Sequence, residues 1–282
     1  MTSLVVDCTP WETYKVKGID VHVKREDLSC VVPGPSFSKI RGVHHKIKAL
    51  KNFEGVKEVG VLDTVHSKAG WGVSYICNHY GLKCCNFYPV YKREKSEDGT
   101  HTLRYNQIQS QELGAQLIPL DAGRSAILMH QAKKIFSFMT DAKGYMMPNA
   151  LKLPETVEAT AREVAAYTPG NLLSGTWVIS ISSGTIAAGV IRGLYDLDVS
   201  PQVILHMGYN RSLDAATKAV YDMSGCWLDD VYMVNEEFDY KDRVVSTAPF
   251  PCNEYYDAKA WRWLEQTVQD CEEPIVFWNI GA

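Results

Sequence analysis

The sequence contains no C-x-x-C pair, although it has eight cysteines (Cys8, Cys30, Cys77, Cys84, Cys85, Cys226, Cys252 and Cys271). Zinc sites and disulfide frameworks both need tighter or more regular spacing, so reduced thiols and no bound metal are expected. The first residues, Met1 to Asp7, lack the basic start and long apolar core of an export signal. No uninterrupted apolar run approaches the length of a membrane helix. Together these absences predict a cytoplasmic protein, in the host cytoplasm if the source is viral, with no membrane partner. A large excess of one charge is also missing: 29 Lys and Arg against 33 Asp and Glu leave a formal net charge of -4. That balance argues against a protein that coats nucleic acid nonspecifically, while a local basic stripe remains compatible with it. Internal repeats and low-complexity linkers are lacking as well, so a domain boundary has to come from the fold.

What is present is an alternation of short apolar runs and amphipathic segments along 282 residues, 46% of them hydrophobic. Extended segments are expected around residues 4–6 and 19–23, at 59–62, 84–90, 117–120, 177–181 and 203–205, and at 275–278. Helical periodicity covers 39–51, 73–80, 103–113, 125–140, 155–167, 187–194, 213–223 and 258–269. Residues 92–101 are polar, contain Gly99 and follow no apolar period, which predicts an exposed loop. Strand–helix alternation of this kind builds parallel sheets, so the fold class is α/β.

Four stretches carry chemistry. Lys39 ends the loop Val32-Pro33-Gly34-Pro35-Ser36 and enters a helix whose positions Ile40, Val43, Ile47 and Leu50 are apolar, which holds the lysine against the domain. Partial burial among cations lowers an amine's pKa and makes it a nucleophile toward an aldehyde; a solvated surface lysine is the alternative. Ser182-Ser183-Gly184-Thr185 follows an apolar strand and opens a helix, the form of an anion cradle or of a tight turn. His66-Ser67-Lys68-Ala69-Gly70-Trp71-Gly72 lies between a strand and a helix, where ligands bind in open parallel sheets. Around the 39–51 helix, Lys39, Arg41, His44, His45, Lys46, Lys48 and Lys51 form a basic stripe, either a solvated face or a set of cationic contacts.

The order Lys24-Arg25-Glu26-Asp27-Leu28, a glycine-containing loop, then Ser38-Lys39-Ile40-Arg41 resembles the start of the fold-type II pyridoxal-phosphate enzymes. The branch containing aminocyclopropane-carboxylate deaminase and D-cysteine desulfhydrase is the most similar. That resemblance implies two parallel-sheet domains of the tryptophan synthase β-like architecture. Residues 1–45 and 152–282 would form the larger, cofactor-binding domain and 46–151 the smaller α/β domain. It implies pyridoxal 5′-phosphate as cofactor, Lys39 as its Schiff-base lysine and catalytic residue, and Ser182, Ser183, Gly184 and Thr185 as its phosphate cup. Ser67 matches the family loop that holds the substrate carboxylate, with Ala69, Gly70 and Trp71 beside it. Lys68 stands where relatives carry an asparagine that touches the cofactor hydroxyl. Tyr256 matches a tyrosine near cofactor and substrate, with Tyr255 adjacent. At Ile275 to Ala282, which resembles a strand ending in a threonine that bonds the pyridine nitrogen, Ile280 replaces the threonine and Asn279 is the candidate to take over. A homodimer is also implied.

These departures point away from an ordinary small-amino-acid deaminase. The short chain and basic helix are similar to phage-encoded relatives that decarboxylate a glycyl or seryl group attached to thymine in hypermodified viral DNA. The favoured expectation is therefore a decarboxylating lyase acting on an amino-acid-bearing thymine. A deaminase or desulfhydrase of a small free amino acid, and a non-catalytic cofactor carrier, are the alternatives.

Overall fold

The computed structural model describes residues 4–94, 101–140 and 143–282. Among the described residues, ten strands and eight α-helices follow in chain order. They are β1 (Trp11–Val16), β2 (Ile19–Arg25), α1 (Ile40–Ala49), β3 (Glu58–Leu62), α2 (Ala69–Tyr80), β4 (Lys83–Val90), α3 (Tyr105–Glu112), β5 (Gln116–Asp121) and α4 (Ser125–Met139). The remainder are β6 (Gly144–Met146), α5 (Pro154–Tyr167), β7 (Thr176–Ile181), α6 (Thr185–Asp196), β8 (Gln202–Met207), α7 (Leu213–Ser224), β9 (Val231–Val234), α8 (Asp257–Thr267) and β10 (Ile275–Asn279).

The chain divides into two compact units. The first comprises Met1–Val31, Ser36–Gly42 and Pro154–Ala282; the second comprises Val32–Pro35 and Val43–Leu153. The first unit has a six-stranded sheet in the order β1-β2-β10-β7-β8-β9, parallel except for the antiparallel β1-β2 pair. Its apolar strands feed two cores by simple alternation. Trp177, Ile179, Ile181, Leu205, Val276 and Trp278 pack with residues of α5, α6 and α7 on one face. Val178, Ile204, Ile275 and Phe277 pack with Ala258, Trp261 and Leu264 of α8 on the other. The second unit has a four-stranded parallel sheet in the order β5-β4-β3-β6, with Leu62, Phe87 and Leu120 against Leu128, Ala132 and Phe136 of α4.

Several expectations change. Residues 4–6 form only an isolated bridge, Val5 with Cys30, while the unpredicted β1 pairs with β2 through a turn at Lys17 and Gly18, both at positive φ. The short edge strands β6 and β9 also went unread, because three and four residues are too few for a period to show. Helix α2 starts at Ala69, four residues before the predicted start, so Ala69, Gly70 and Trp71 are helical rather than loop. Of the predicted 92–101 loop, 92–94 form a short helical turn, and 95–100 lie outside the described residues. No helix among the described residues is long and apolar enough to cross a membrane.

Candidate functional site

In the first unit, Lys39 immediately precedes α1, and its Nζ donates a hydrogen bond to Ser183 Oγ at 2.8 Å. Two contacts fix the segment that carries it. Ser38 N–H donates to the Ile280 carbonyl at 3.1 Å, and Phe37 bridges Gly281 in antiparallel fashion. Further along the same segment, Arg41 anchors the first turn of α1. Its Nη1 and Nη2 bind the two carboxylate oxygens of Glu26 at 2.8 and 2.6 Å, and its Nε binds the Val6 carbonyl at 2.9 Å. Glu26 is buried, and Lys24, also buried, is paired with buried Glu163. Lys24 and Glu26 of the K-R-E-D segment thus join Glu163 and Arg41 in a balanced buried ionic core, two cations against two anions.

Ser182 to Thr185 connect β7 to α6. Gly184 is the residue before the helix and has φ +84°, the left-handed region that only glycine enters without strain. The first turn of α6 contains no acidic residue, and its N–H groups have no earlier helical carbonyl to bond. Ser183 Oγ and Thr185 Oγ1 are 3.0 Å apart. This arrangement suits an anion, because helix N-terminal amides and hydroxyls converge on it.

At the C-terminal end of β10, Asn279 is fully buried. Its Nδ2 donates to Asp27 Oδ1 and to the Pro251 carbonyl, both at 2.9 Å, while its Oδ1 has no partner among the described residues. Both amide hydrogens are committed, so the oxygen stands as a buried acceptor in need of a donor. Tyr256 is half-buried just before α8, and its phenol is held well above its usual range by burial beside Asp257. Tyr255 N–H donates to Asn253 Oδ1. Asp257 was not singled out from the sequence, where it reads as an ordinary acidic first-turn residue. It is fully buried; burial pushes its carboxyl up to about 8 against the hydrogen bonds from Ser180 Oγ and the Gly281 N–H. By accepting from Gly281, it holds the strand end that bridges Phe37.

The Ser67 loop belongs to the second unit. Ser67 Oγ accepts from the Ala69 N–H at 2.9 Å, and the Gly70 N–H bonds the buried carboxylate of Asp63. Burial raises the Asp63 carboxyl to about 7. A Cβ on Gly70 would fall 2.1 Å from Asn86 Nδ2, which explains a glycine here. Lys68 Nζ lies 5.9 Å from the Trp71 ring centre, and the Trp71 indole donates to the Pro33 carbonyl at 3.1 Å. The basic stripe is not one solvated face. Arg41 is buried in its ion pair, His44 stacks on Tyr80, Lys46 lies over Tyr145, and Lys51 donates to the Tyr80 carbonyl.

An amine, an anion cradle at a helix start and an orphaned buried acceptor all lie in the first unit. These residues fit a cofactor with an aldehyde, a phosphate and a ring heteroatom. Comparison with known proteins agrees. The chain is 45% identical over 287 residues to the glycyl-dTMP PLP-dependent decarboxylase of Pseudomonas phage M6, covering 99% of this chain and 100% of that one. Among solved structures, an ACC deaminase homologue has a TM-score of 0.77 at 20% identity, covering 99% of this chain and 90% of that one. A hydrogen sulfide-producing enzyme from Fusobacterium nucleatum has a TM-score of 0.67 at 15% identity, covering 97% and 95%. An O-acetylserine dependent cystathionine β-synthase from Helicobacter pylori has a TM-score of 0.64 at 14% identity, covering 96% and 90%. At these identities the structures speak for the fold alone. With residues 5–219 matching the family described as pyridoxal-phosphate dependent enzyme, the chain belongs to that family and is a pyridoxal-phosphate-dependent enzyme of the fold-type II architecture.

Proposed function

We propose that this enzyme removes carbon dioxide from a glycyl or seryl group carried on thymine, in thymidine monophosphate or in DNA. The observation that supports this reading is the 45% identity, over essentially the whole of both chains, to the phage glycyl-dTMP decarboxylase. Lys39 is the residue that would hold the cofactor aldehyde, Ser182 to Thr185 its phosphate, and Asn279 Oδ1 its ring nitrogen. When bound, pyridoxal phosphate supplies an electron sink next to the substrate Cα, so that the electron pair left by departing carbon dioxide is delocalised.

The chain's own groups divide the remaining work. The Lys39 amine would be the acid that places a proton on Cα where the carboxylate was, with Ser183 Oγ as the acceptor that orients it. Tyr256, with a raised pKa, stays a neutral phenol near pH 7 and serves as a hydrogen-bond donor rather than a base. Ser67 and Lys68, with Ala69, Gly70, Trp71 and Tyr255, are the proposed substrate-side residues. Asn279 offers a neutral acceptor, which tunes the sink without adding a charge. A homodimer in the cytoplasm of an infected host is the proposed working form, checked by light scattering of the purified protein and by fractionation of infected cells.

The test incubates cofactor-loaded protein with glycyl-dTMP, with a glycyl-thymine oligonucleotide and, separately, with free D-cysteine and aminocyclopropane-carboxylate. Release of carbon dioxide from the thymine substrates, with product lighter by one carbon dioxide, is expected. Ammonia or sulfide from a free amino acid without turnover of either thymine substrate would replace this reading with the deaminase or desulfhydrase alternative. Cofactor retention with no turnover of any amine would favour the non-catalytic carrier. In parallel, the wild type is expected to show a visible cofactor band and a borohydride-stable adduct on Lys39, and Lys39→Ala is expected to lose both.

A further inference from the structure

Two to four residues past the end of β8, the chain places Tyr209 and Arg211 in an aromatic and cationic cluster that the chemistry above leaves unused. The Arg211 guanidinium lies 5.6 Å from the Tyr209 ring centre, and Tyr209 meets Tyr240 edge to face at 5.3 Å. Arg211 Nη2 is shielded from solvent and has no hydrogen-bond partner among the described residues. A shielded guanidinium nitrogen is costly to leave unsatisfied, and its forked donors match a phosphate or carboxylate.

Gly208, directly before the cluster in the chain, adjoins the candidate cofactor loop. Gly208 N–H donates to the Ile181 carbonyl at 2.9 Å, and Ile181 directly precedes Ser182. A Cβ on Gly208 would come within 3.0 Å of the Tyr256 Cβ. The loop is also held rigidly. Lys259 Nζ donates to the Gly208 carbonyl at 2.6 Å, Asn210 N–H donates to the Phe238 carbonyl at 2.7 Å, and Asn235 Nδ2 donates to Asn210 Oδ1 at 3.0 Å. Such bracing lowers the ordering cost of binding.

We infer that Arg211, with Tyr209 and Tyr240, recognises the nucleotide part of the substrate: the guanidinium takes the 5′-phosphate of a thymidine unit and the tyrosines take its pyrimidine. The inference rests on the thymine-decarboxylase reading for the identity of the base. Its chemistry is that of single-strand recognition, in which aromatic faces hold bases and arginine holds phosphate. In a chain of net charge -4, a local cation is needed to hold an anionic substrate.

Equilibrium dialysis of the cofactor-loaded protein with labelled dTMP, thymidine and a thymine-containing single-stranded oligonucleotide tests this without requiring turnover. The wild type is expected to bind dTMP more tightly than thymidine. Arg211→Gln should weaken dTMP by about tenfold or more while leaving thymidine nearly unchanged, the loss appropriate to a charge-assisted hydrogen bond. Tyr209→Leu should weaken both. Arg211→Lys keeps the charge but loses the fork, so it should fall between wild type and Arg211→Gln; it carries the comparison if Arg211→Gln fails to load cofactor. Equal loss for dTMP and oligonucleotide assigns the site to a phosphate in either setting, whereas loss for dTMP alone assigns it to the free nucleotide. Unchanged dTMP affinity in the arginine variants, or a wild type that does not distinguish dTMP from thymidine, overturns the inference. A wild type that binds dTMP through Arg211 yet releases no carbon dioxide from glycyl-dTMP counts against the decarboxylase reading alone.

Discussion

Single residues in this enzyme combine burial with charge, and each combination has a measurable consequence. Lys24 and Glu163 are both fully enclosed and paired. Glu163→Leu strands a buried ammonium and is expected to cost about 3–5 kcal/mol in urea unfolding, whereas Lys24→Met combined with Glu163→Leu should recover most of the loss. Asp63 and Asp257 are raised from 3.8 to about 7 and about 8 by burial. The native state therefore binds more protons than the unfolded chain in between. The stability these groups contribute is fully present below the unfolded pKa and is lost as pH rises through the folded values. Urea midpoints of the wild type should fall from pH 5 to pH 8, and Asp63→Asn should flatten that fall; a variant as pH-sensitive as the wild type would contradict the assignment. The residue type and neighbourhood of Lys39 were legible in the sequence. The roles of Asp63, Asp257 and Arg211 were not, because an acidic residue before or within a helix, or an arginine in a loop, carries no local sign that its surroundings exclude water.

At the scale of elements, close approach explains why α1 begins as it does. A Cβ on Gly42 would lie 2.2 Å from Thr156 Oγ1 and 2.4 Å from Thr156 Cα, so this glycine lets the first turn of α1 meet the start of α5. Gly42→Ala forces backbone to move and is expected to lower stability by about 1–3 kcal/mol, checked by chemical denaturation. The apolar runs of β3, β4, β7, β8 and β10 and the periods of α4, α5 and α7 could be read locally, because buried parallel strands and amphipathic helices write their environment into every residue. Strand β1 of the β1-β2 hairpin lies outside the expected extended segments, although Lys17-Gly18 is a two-residue turn between alternating segments. Helix α2 starts earlier than its sequence suggests, because Gly70 and Gly72 have the composition of a loop. In the structure Gly70 is required by Asn86 and does not break the helix.

For the whole molecule, cofactor binding and stability are linked. Pyridoxal phosphate at 100 times its Kd should stabilise the wild type by about 2.7 kcal/mol, seen as a rise in Tm, and Lys39→Ala should show a much smaller rise at the same concentration. Equal shifts in both proteins would argue that Lys39 does not hold the cofactor. The sequence alone determined the α/β class and the order of the main elements, because local turn, strand and helix chemistry sets them, and the resemblance of the stretches around Lys39 and Ser182 to Thr185 pointed to the family. Only the tertiary structure decided which of the basic residues near Lys39 is buried in an ion pair, that Asn279 Oδ1 lacks a donor among the described residues, and that Arg211 rests on Tyr209. These depend on which segments the sheet brings together: Asp27, just past the end of β2, is 252 positions from Asn279 at the end of β10, yet accepts its Nδ2 hydrogen bond at 2.9 Å because β2 and β10 pair. Separations of that length leave no periodic trace, so only the folded sheet reveals them.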